Sequence, residues 1–203
     1  MIKTSITLFA LTLLPVPASV ATTDTQNAQS ACTLTEANAP GVRGLKLGMS
    51  TEQLLTLFPG STKREEVRDA LESAKRSGGS ETVYIGFEPR SDVSGSTFAE
   101  TDSIGVALQK GRVVQFVVQY AGPSWRDIDE WIAKLSETLK LPGAGEWEPG
   151  QDETPSKFLK CRGVEIEAAV QGGGASIRVW DTAAFKSMGT KSGDEQKRKV
   201  FKP

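Results

Sequence analysis

The 203-residue chain predicts an α+β fold, an antiparallel sheet with helices packed on one face, from three observations. Capping signals open two apolar segments with helical spacing near the front of the chain. Runs of period-two alternation follow in clusters, separated by glycine-containing loops. A single long amphipathic stretch then stands between two such clusters. Runs of strands segregated from helices, rather than a strict βαβ alternation, indicate antiparallel pairing. The predicted order is β-α-α-β-β-β-α-β-β-β.

The first strand is read in the apolar alternation that Gly48 closes. Ser50 is placed to cap the helix that follows, Gln53 completes a capping box three residues on, and Met49 can staple onto Leu54. That helix ends at Phe58, Pro59 and Gly60. Thr62 and Glu65 form a second capping box ahead of Val67, Ala70, Leu71 and Ala74, and Gly78 and Gly79 stop the second helix.

Strands come next: Val83, Ile85 and Phe87 alternate, as do Ile104, Val106 and Leu108, then Val114, Phe116, Val118 and Tyr120. A three-residue loop of Gln109, Lys110 and Gly111 would set Val106 opposite Val114 and Ile104 opposite Phe116. Pro123 and Ser124 open the third helix, with Asp127 at the capping-box position. Its stripe is Trp125, Ile128, Ile132, Leu135 and Leu139, and residues 140–143 close it. Three further strands lie in KFLKCRG, VEIEAAV and SIRVW. With a loop at 171–174, Ile166 faces Val179 and Ala168 faces Ile177. On the other face Glu167 meets Arg178 and Glu165 meets Trp180, an apolar/solvated division.

The ends of the chain differ from this block. Residues 1–21 read as an export signal: Lys3 gives a positive start, ITLFALTLLPV an apolar core, and Ser19-Val20-Ala21 a small-x-small cleavage site. The apolar run is too short to span a membrane, which needs about 20 residues, and no later segment replaces it. Residues 22–31 are small and polar and read as a disordered leader. Residues 32–186 form one α+β domain. Residues 187–203 read as a flexible basic tail, with Lys191, Lys197, Arg198, Lys199 and Lys202 against Asp194 and Glu195.

Cys32 and Cys161 are the two cysteines. An exported chain with an even pair is expected to close a disulfide. A lipid anchor at Cys32 is the rival reading. The preceding Gln29-Ser30-Ala31 lacks the aliphatic residue of a lipobox, and it lies well downstream of the apolar core, so the bridge is preferred.

Composition removes several chemistries. The chain has no histidine, and with it go the commonest general base and the commonest metal ligand. A formal net charge of −1 provides no basic footprint for nucleic acid. There is no GxSxG elbow or Ser-x-x-Lys pair, no phosphate loop, no CxxC and no DxDxDG calcium loop, and glycines 172–174 lack dinucleotide spacing. Metal, cofactor and catalytic residues are therefore not assigned, and the chain reads as a non-enzyme.

Carboxylates can do acid–base work without histidine. Asp127, Asp129 and Glu130 fall on the polar side of the third helix, Asp152 and Glu153 in a loop, and Glu165 and Glu167 on the outer face of a strand. A carboxylate-dependent hydrolase is the least favoured reading. Recognition is better supported. Trp147 in the GEWEPG loop, Trp180 on the outer sheet face and Arg178 beside it are the candidate partner contacts, since such residues commonly anchor binding sites. The competing reading folds Trp147 back over a core edge, and Trp131 is read as core.

The segment LKLGMSTEQLLTLFPG, residues 45–60, resembles the helix-start motif of small exported bacterial domains with the β-lactamase-inhibitor-protein-like fold, which include the SmpA/OmlA outer-membrane assembly lipoproteins. Leu47, Gly48, Met49, Ser50, Gln53, Leu54 and Gly60 carry the resemblance. The chain differs in its weak lipobox, an extra helix and hairpin, and the Phe-Pro-Gly helix end. The resemblance implies the fold, with the motif in a structural role, and no catalytic residue. The expected function is a non-catalytic exported domain, periplasmic or extracellular, that binds or scaffolds another envelope component. A secreted enzyme inhibitor is the alternative.

Overall fold

The computed structural model describes residues 32–79, 81–89, 97–122, 125, 127–151, 154–172 and 174–186. The export signal (1–21), the leader (22–31) and the basic tail (187–203) lie outside the described residues, as do Pro123, Ser124, Asp152 and Glu153. Helices α1 (Thr51–Leu57), α2 (Glu65–Arg76) and α3 (Ile128–Leu139) accompany strands β1 (Val83–Phe87), β2 (Thr101–Gln109), β3 (Arg112–Tyr120), β4 (Glu148–Pro149), β5 (Ser156–Lys160), β6 (Val164–Gln171) and β7 (Gly174–Asp181). The strands form one antiparallel sheet in the order β1-β2-β3-β7-β6-β5-β4. This is the α+β architecture expected, with two changes in order. The predicted first strand is not formed: Val42 and Leu45 make only an isolated bridge across a tight turn. The two-residue β4 is added before β5.

The inner sheet face is apolar. Ile85, Phe87, Ile104, Val106, Phe116, Val118, Ile166, Ile177 and Val179 are all buried, and the helices close over them with Leu54, Val67, Ile132 and Leu135. Phe58, at the end of α1, stacks on Phe87 with ring centroids 4.1 Å apart and on Phe98 at 5.1 Å. At the exposed edge, Arg64 donates from its Nη2 to the carbonyl of Gly86 on β1. A charged side chain there blocks the edge against pairing with another strand.

The β6–β7 hairpin has the predicted register. Ile166 pairs with Val179, Ala168 with Ile177, Glu167 with Arg178 and Glu165 with Trp180. The β2–β3 hairpin does not. Its turn is two residues, Lys110 and Gly111, both at positive φ (51° and 70°), as the tightest hairpin turns require. Val106 therefore opposes Phe116 and Ile104 opposes Val118, and a bulge between Ala107 and Leu108 brings Val113 inward in place of Val114. An extra residue on one strand shifts facing in a way that strict alternation cannot register.

The start of α1 has the expected cap, and those of α2 and α3 differ. Ser50 caps α1 in a reciprocal box with Gln53. Thr62 instead sits in a short 3-10 turn and Arg64 holds the N-cap position of α2. At α3 the helix begins at Ile128, and Asp127 is itself the cap, its carboxylate accepting from Asp129 N–H at 2.8 Å.

Two segments grip the tip of the β2–β3 hairpin. Gly48 N–H donates to the Val113 carbonyl and Val113 N–H to the Met49 carbonyl, while Thr51 N–H donates to the Gly111 carbonyl. From the other side Lys110 N–H donates to the Gly79 carbonyl at 3.1 Å. Gly79 has φ +75°, and a Cβ there would lie 2.6 Å from Lys110 Cα.

Cys32 and Cys161 are bonded, with Cα atoms 4.6 Å apart and a sequence separation of 129. Backbone bonds from Arg162 to Cys32 and from Gly163 to Leu34 align the adjoining segment with the β5–β6 turn. Closing so long a loop restricts the unfolded chain, so reduction should lower stability by about 2–5 kcal/mol in urea denaturation monitored by circular dichroism. Gly79→Ala should separately cost about 1–3 kcal/mol in the same assay, through backbone strain and contact with the hairpin tip.

Candidate functional site

Two concave regions of the described surface combine apolar walls with polar groups, and they lie on opposite faces of the sheet. The outer face over β1, β2 and β3 carries a shallow depression of about 270 Å³. Its floor is Gly86 and Gly105, which pair directly across the β1–β2 ladder, with Ala107 and Val117 beside them. Tyr84, 63% exposed, and Arg178 form its sides. Neither glycine is demanded by the backbone: both lie outside the positive-φ set. A Cβ on Gly86 would meet nothing within 4 Å, and one on Gly105 would meet only Val117 Cγ1 at 3.9 Å. Strand glycines without such a need weaken the strand, and they commonly mark a place where another molecule approaches closely.

The predicted partner contacts fall differently around this depression. Arg178 lies in its wall and pairs with Glu167 at 3.0 Å. Trp180 is on the outer face as expected, yet it is only 8% exposed, flanked by Phe158 and by Phe185 from the helical turn at 182–186. Trp147 is 5% exposed and packed in the core, its indole N–H donating to the Pro142 carbonyl at 3.1 Å. Just ahead of this loop the chain leaving α3 is tied back on the helix, Ser136 Oγ donating to the Pro142 carbonyl and Leu141 N–H to the Ser136 carbonyl. Trp147 is therefore removed from the partner surface. Tyr84, Gly86 and Gly105 border the depression instead; their signal in the sequence is the pair of glycines interrupting two otherwise alternating strands.

The helix-start motif is structural throughout. Gly48 has φ +73°, and a Cβ on it would come 2.6 Å from Glu36 Oε1. Arg112 Nη1 donates to the Gly48 carbonyl at 2.9 Å. Met49 and Leu54 are buried in the core, and Ser50 and Gln53 cap α1.

The candidate carboxylates fall at the start of α3 and along β6. Asp129 pairs with Lys157, Asp127 caps α3, Glu130 is exposed, and Glu167 pairs with Arg178. Burial pushes the Glu165 carboxyl up, the Lys160 ammonium pulls it part of the way back, and Glu148 and Glu167 reinforce the rise. None of these five lines either of the two concave regions. Among the described residues no group of three carboxylate, cysteine or histidine side chains is placed to hold a metal ion, and no helix is long and apolar enough to cross a membrane.

The second concavity, about 360 Å³, opens where α3 meets the end of β3 and the turn at Val42 and Arg43. Trp131 lies at its centre, with Tyr120 and Trp125 each 5.1 Å away between ring centroids. The Trp131 indole N–H donates to the Ser176 carbonyl and is thereby anchored to β7. Burial drives the Tyr120 phenol up to about 12; Arg43 lowers it and Glu100 raises it by smaller amounts. Sequence periodicity placed Trp125 in the α3 stripe, but it precedes the helix and forms a wall of this cavity instead.

No family model matches the chain, and neither a curated protein nor a solved structure matches it.

Trp147→Ala should cost about 3–5 kcal/mol of stability, as expected for removing a buried indole, measured by chemical denaturation. The Tyr120 shift carries a pH signature. The folded protein keeps this proton up to about pH 12, whereas the unfolded chain releases it near 10. Stability therefore falls as pH rises across that window and levels off above it. Tyr120→Phe should remove up to about 2–3 kcal/mol of that fall, read by comparing the two proteins' denaturation between pH 9 and 12.

Proposed function

We propose that the chain is a non-catalytic exported domain that binds or scaffolds another component of the cell envelope, using the outer face of its sheet. The Gly86/Gly105 depression carries this reading. The fold gains nothing from two adjacent strand glycines there, while a partner gains close access to the backbone between Tyr84 and Arg178. A large exposed phenol and a guanidinium flanking a small-residue floor are the side chains that most often anchor protein interfaces.

The disulfide is consistent with an oxidising compartment and supports export together with the signal-like residues 1–21. It also occupies Cys32, which leaves that sulfur without a place for a lipid. That the candidate carboxylates line neither concave region supports a binding role over hydrolysis. The resemblance of residues 45–60 to β-lactamase-inhibitor-like and SmpA/OmlA domains supports membership of that structural group. The inhibitor alternative rests on the inhibitor-like fold and on the Trp147 loop, and burial of that side chain withdraws the loop from its support.

A photo-reactive residue at position 84, introduced into the full chain in its producing cell, should give a discrete cross-linked adduct in envelope extracts. Gly86→Val should keep or slightly raise stability, by up to ~1 kcal/mol, because the added side chain fits a strand and meets open space. The same change should abolish the adduct by filling the floor. An adduct of undiminished yield in a well-folded Gly86→Val protein would refute the assignment of this face.

A further inference from the structure

The cavity between α3 and the end of β3 has walls and a rim that specify a ligand. At the roughly 30 Å³ that a water molecule occupies in the liquid, 360 Å³ is room for about a dozen non-hydrogen atoms. The volume also lies within the ~300–1,000 Å³ range of small-molecule sites. The interior is hydrocarbon and ring: Tyr120, Trp131 and Trp125 on one side, Leu135 and Leu139 on the other. Leu135 is buried and Leu139 packs against the core, so the deep part of the cavity offers an apolar body a site out of water.

The rim has a different character. Arg43 and Lys134 line it with one carboxylate, Glu100, so positive charge is in excess. Each cation already holds a carboxylate, Glu100 within the lining and Glu137 outside it. Arg43 pairs with Glu100 at 2.8 Å, and Lys134 with Glu137 at 2.9 Å. Both carboxylate side chains are more than 70% exposed, and exposed pairs of this kind contribute only about 0–1 kcal/mol. An incoming anion can therefore share these cations at little loss. The Tyr120 hydroxyl, protonated at neutral pH like any phenol, supplies a further donor, since it makes no hydrogen bond to any described residue.

We propose that this cavity binds a small amphiphilic carboxylate, its apolar body lying against Trp125, Trp131 and Leu135 and its head group at the rim between Arg43 and Lys134. A cationic amphiphile would meet the same aromatic walls, but it would have to enter past two positive side chains. The site is on the inner side of the sheet and is independent of the Gly86/Gly105 face, so the two readings stand or fall separately.

Decanoate has twelve non-hydrogen atoms and matches the volume; decanol and decyltrimethylammonium supply the neutral and cationic comparisons. In calorimetric titration of the purified full chain, decanoate should bind one site with a Kd on the order of 10–100 µM. It should bind at least about tenfold more tightly than either comparison compound. Combining Arg43→Gln with Lys134→Gln, both at exposed positions, should weaken decanoate about tenfold or more and leave decanol unchanged. Trp125→Ala should weaken both, and Gly86→Val neither. Equal binding of decanoate and decanol, tighter binding of the cation, no saturable binding below 1 mM, or full affinity in the folded rim double variant would each overturn the proposal.

Discussion

The pairing of β3 with β7 is the interaction on which the rest of the molecule depends. Each half of the chain makes its own local hairpins, β1–β2–β3 before α3 and β4–β5–β6–β7 after it, and neither has a covered apolar face alone. Setting Phe116 against Val179 and Val118 against Ile177, all four fully buried, turns two partial sheets into one. On the joined inner face α2 lies over β1 at one end and α3 over β6 at the other. The seam joins residues about 60 apart in sequence, a long loop to close before any contact repays it. Folding should accordingly wait on this pairing rather than on either hairpin.

The seam also separates the two candidate sites by chemistry as well as by face. On its inner side, helices seal apolar residues from water and leave a gap where α3 passes Tyr120. On its outer side, β5 to β7 carry Phe158 and Trp180, while β1 to β3 carry the Gly86/Gly105 pair and Ala107 beside the exposed Tyr84. The sheet is thus covered unevenly. Its bare half coincides with its N-terminal half, whose edge Arg64 already protects from strand addition. An edge blocked against pairing beside an open face favours contact through side chains over contact through the ladder.

Much of the fold was legible because it rests on local, period-bound signals. The β6–β7 hairpin was readable to the residue: a glycine-rich loop joins two strands of strict alternation, and any one-residue slip would expose Ile166 and Ile177 together. The α1 start was readable because Ser50 and Gln53 act on each other within four residues. What stayed hidden depended on distant partners. The bulge at Ala107 and Leu108 has no sequence mark, and it moved Val113 inward. The alternation of Leu45 and Leu47 ahead of Gly48 looked like a strand, but these side chains are buried in the core without forming a strand ladder. Trp147 was ambiguous because its burial depends on how residues 141–143 turn. At the sites, Arg178 could be placed by register alone. The glycine floor needed the lateral pairing of Gly86 with Gly105, and the aromatic cavity needed α3 to be docked.

The bond between Cys32 and Cys161 also decides how the domain bears load. Cys32 begins the described chain, and its partner stands at the turn between β5 and β6, in the half of the sheet remote in sequence. Tension applied to the chain ahead of Cys32 would pass through the sulfurs straight into that turn. It would bypass α1, α2 and the hairpin tip they grip. The segment that sequence order makes the first to peel away is thereby one of the last that force could detach. Whatever pulls on the N-terminal extension must work against the β5–β6–β7 ladders, while the Gly86/Gly105 face at the opposite end of the sheet keeps its shape.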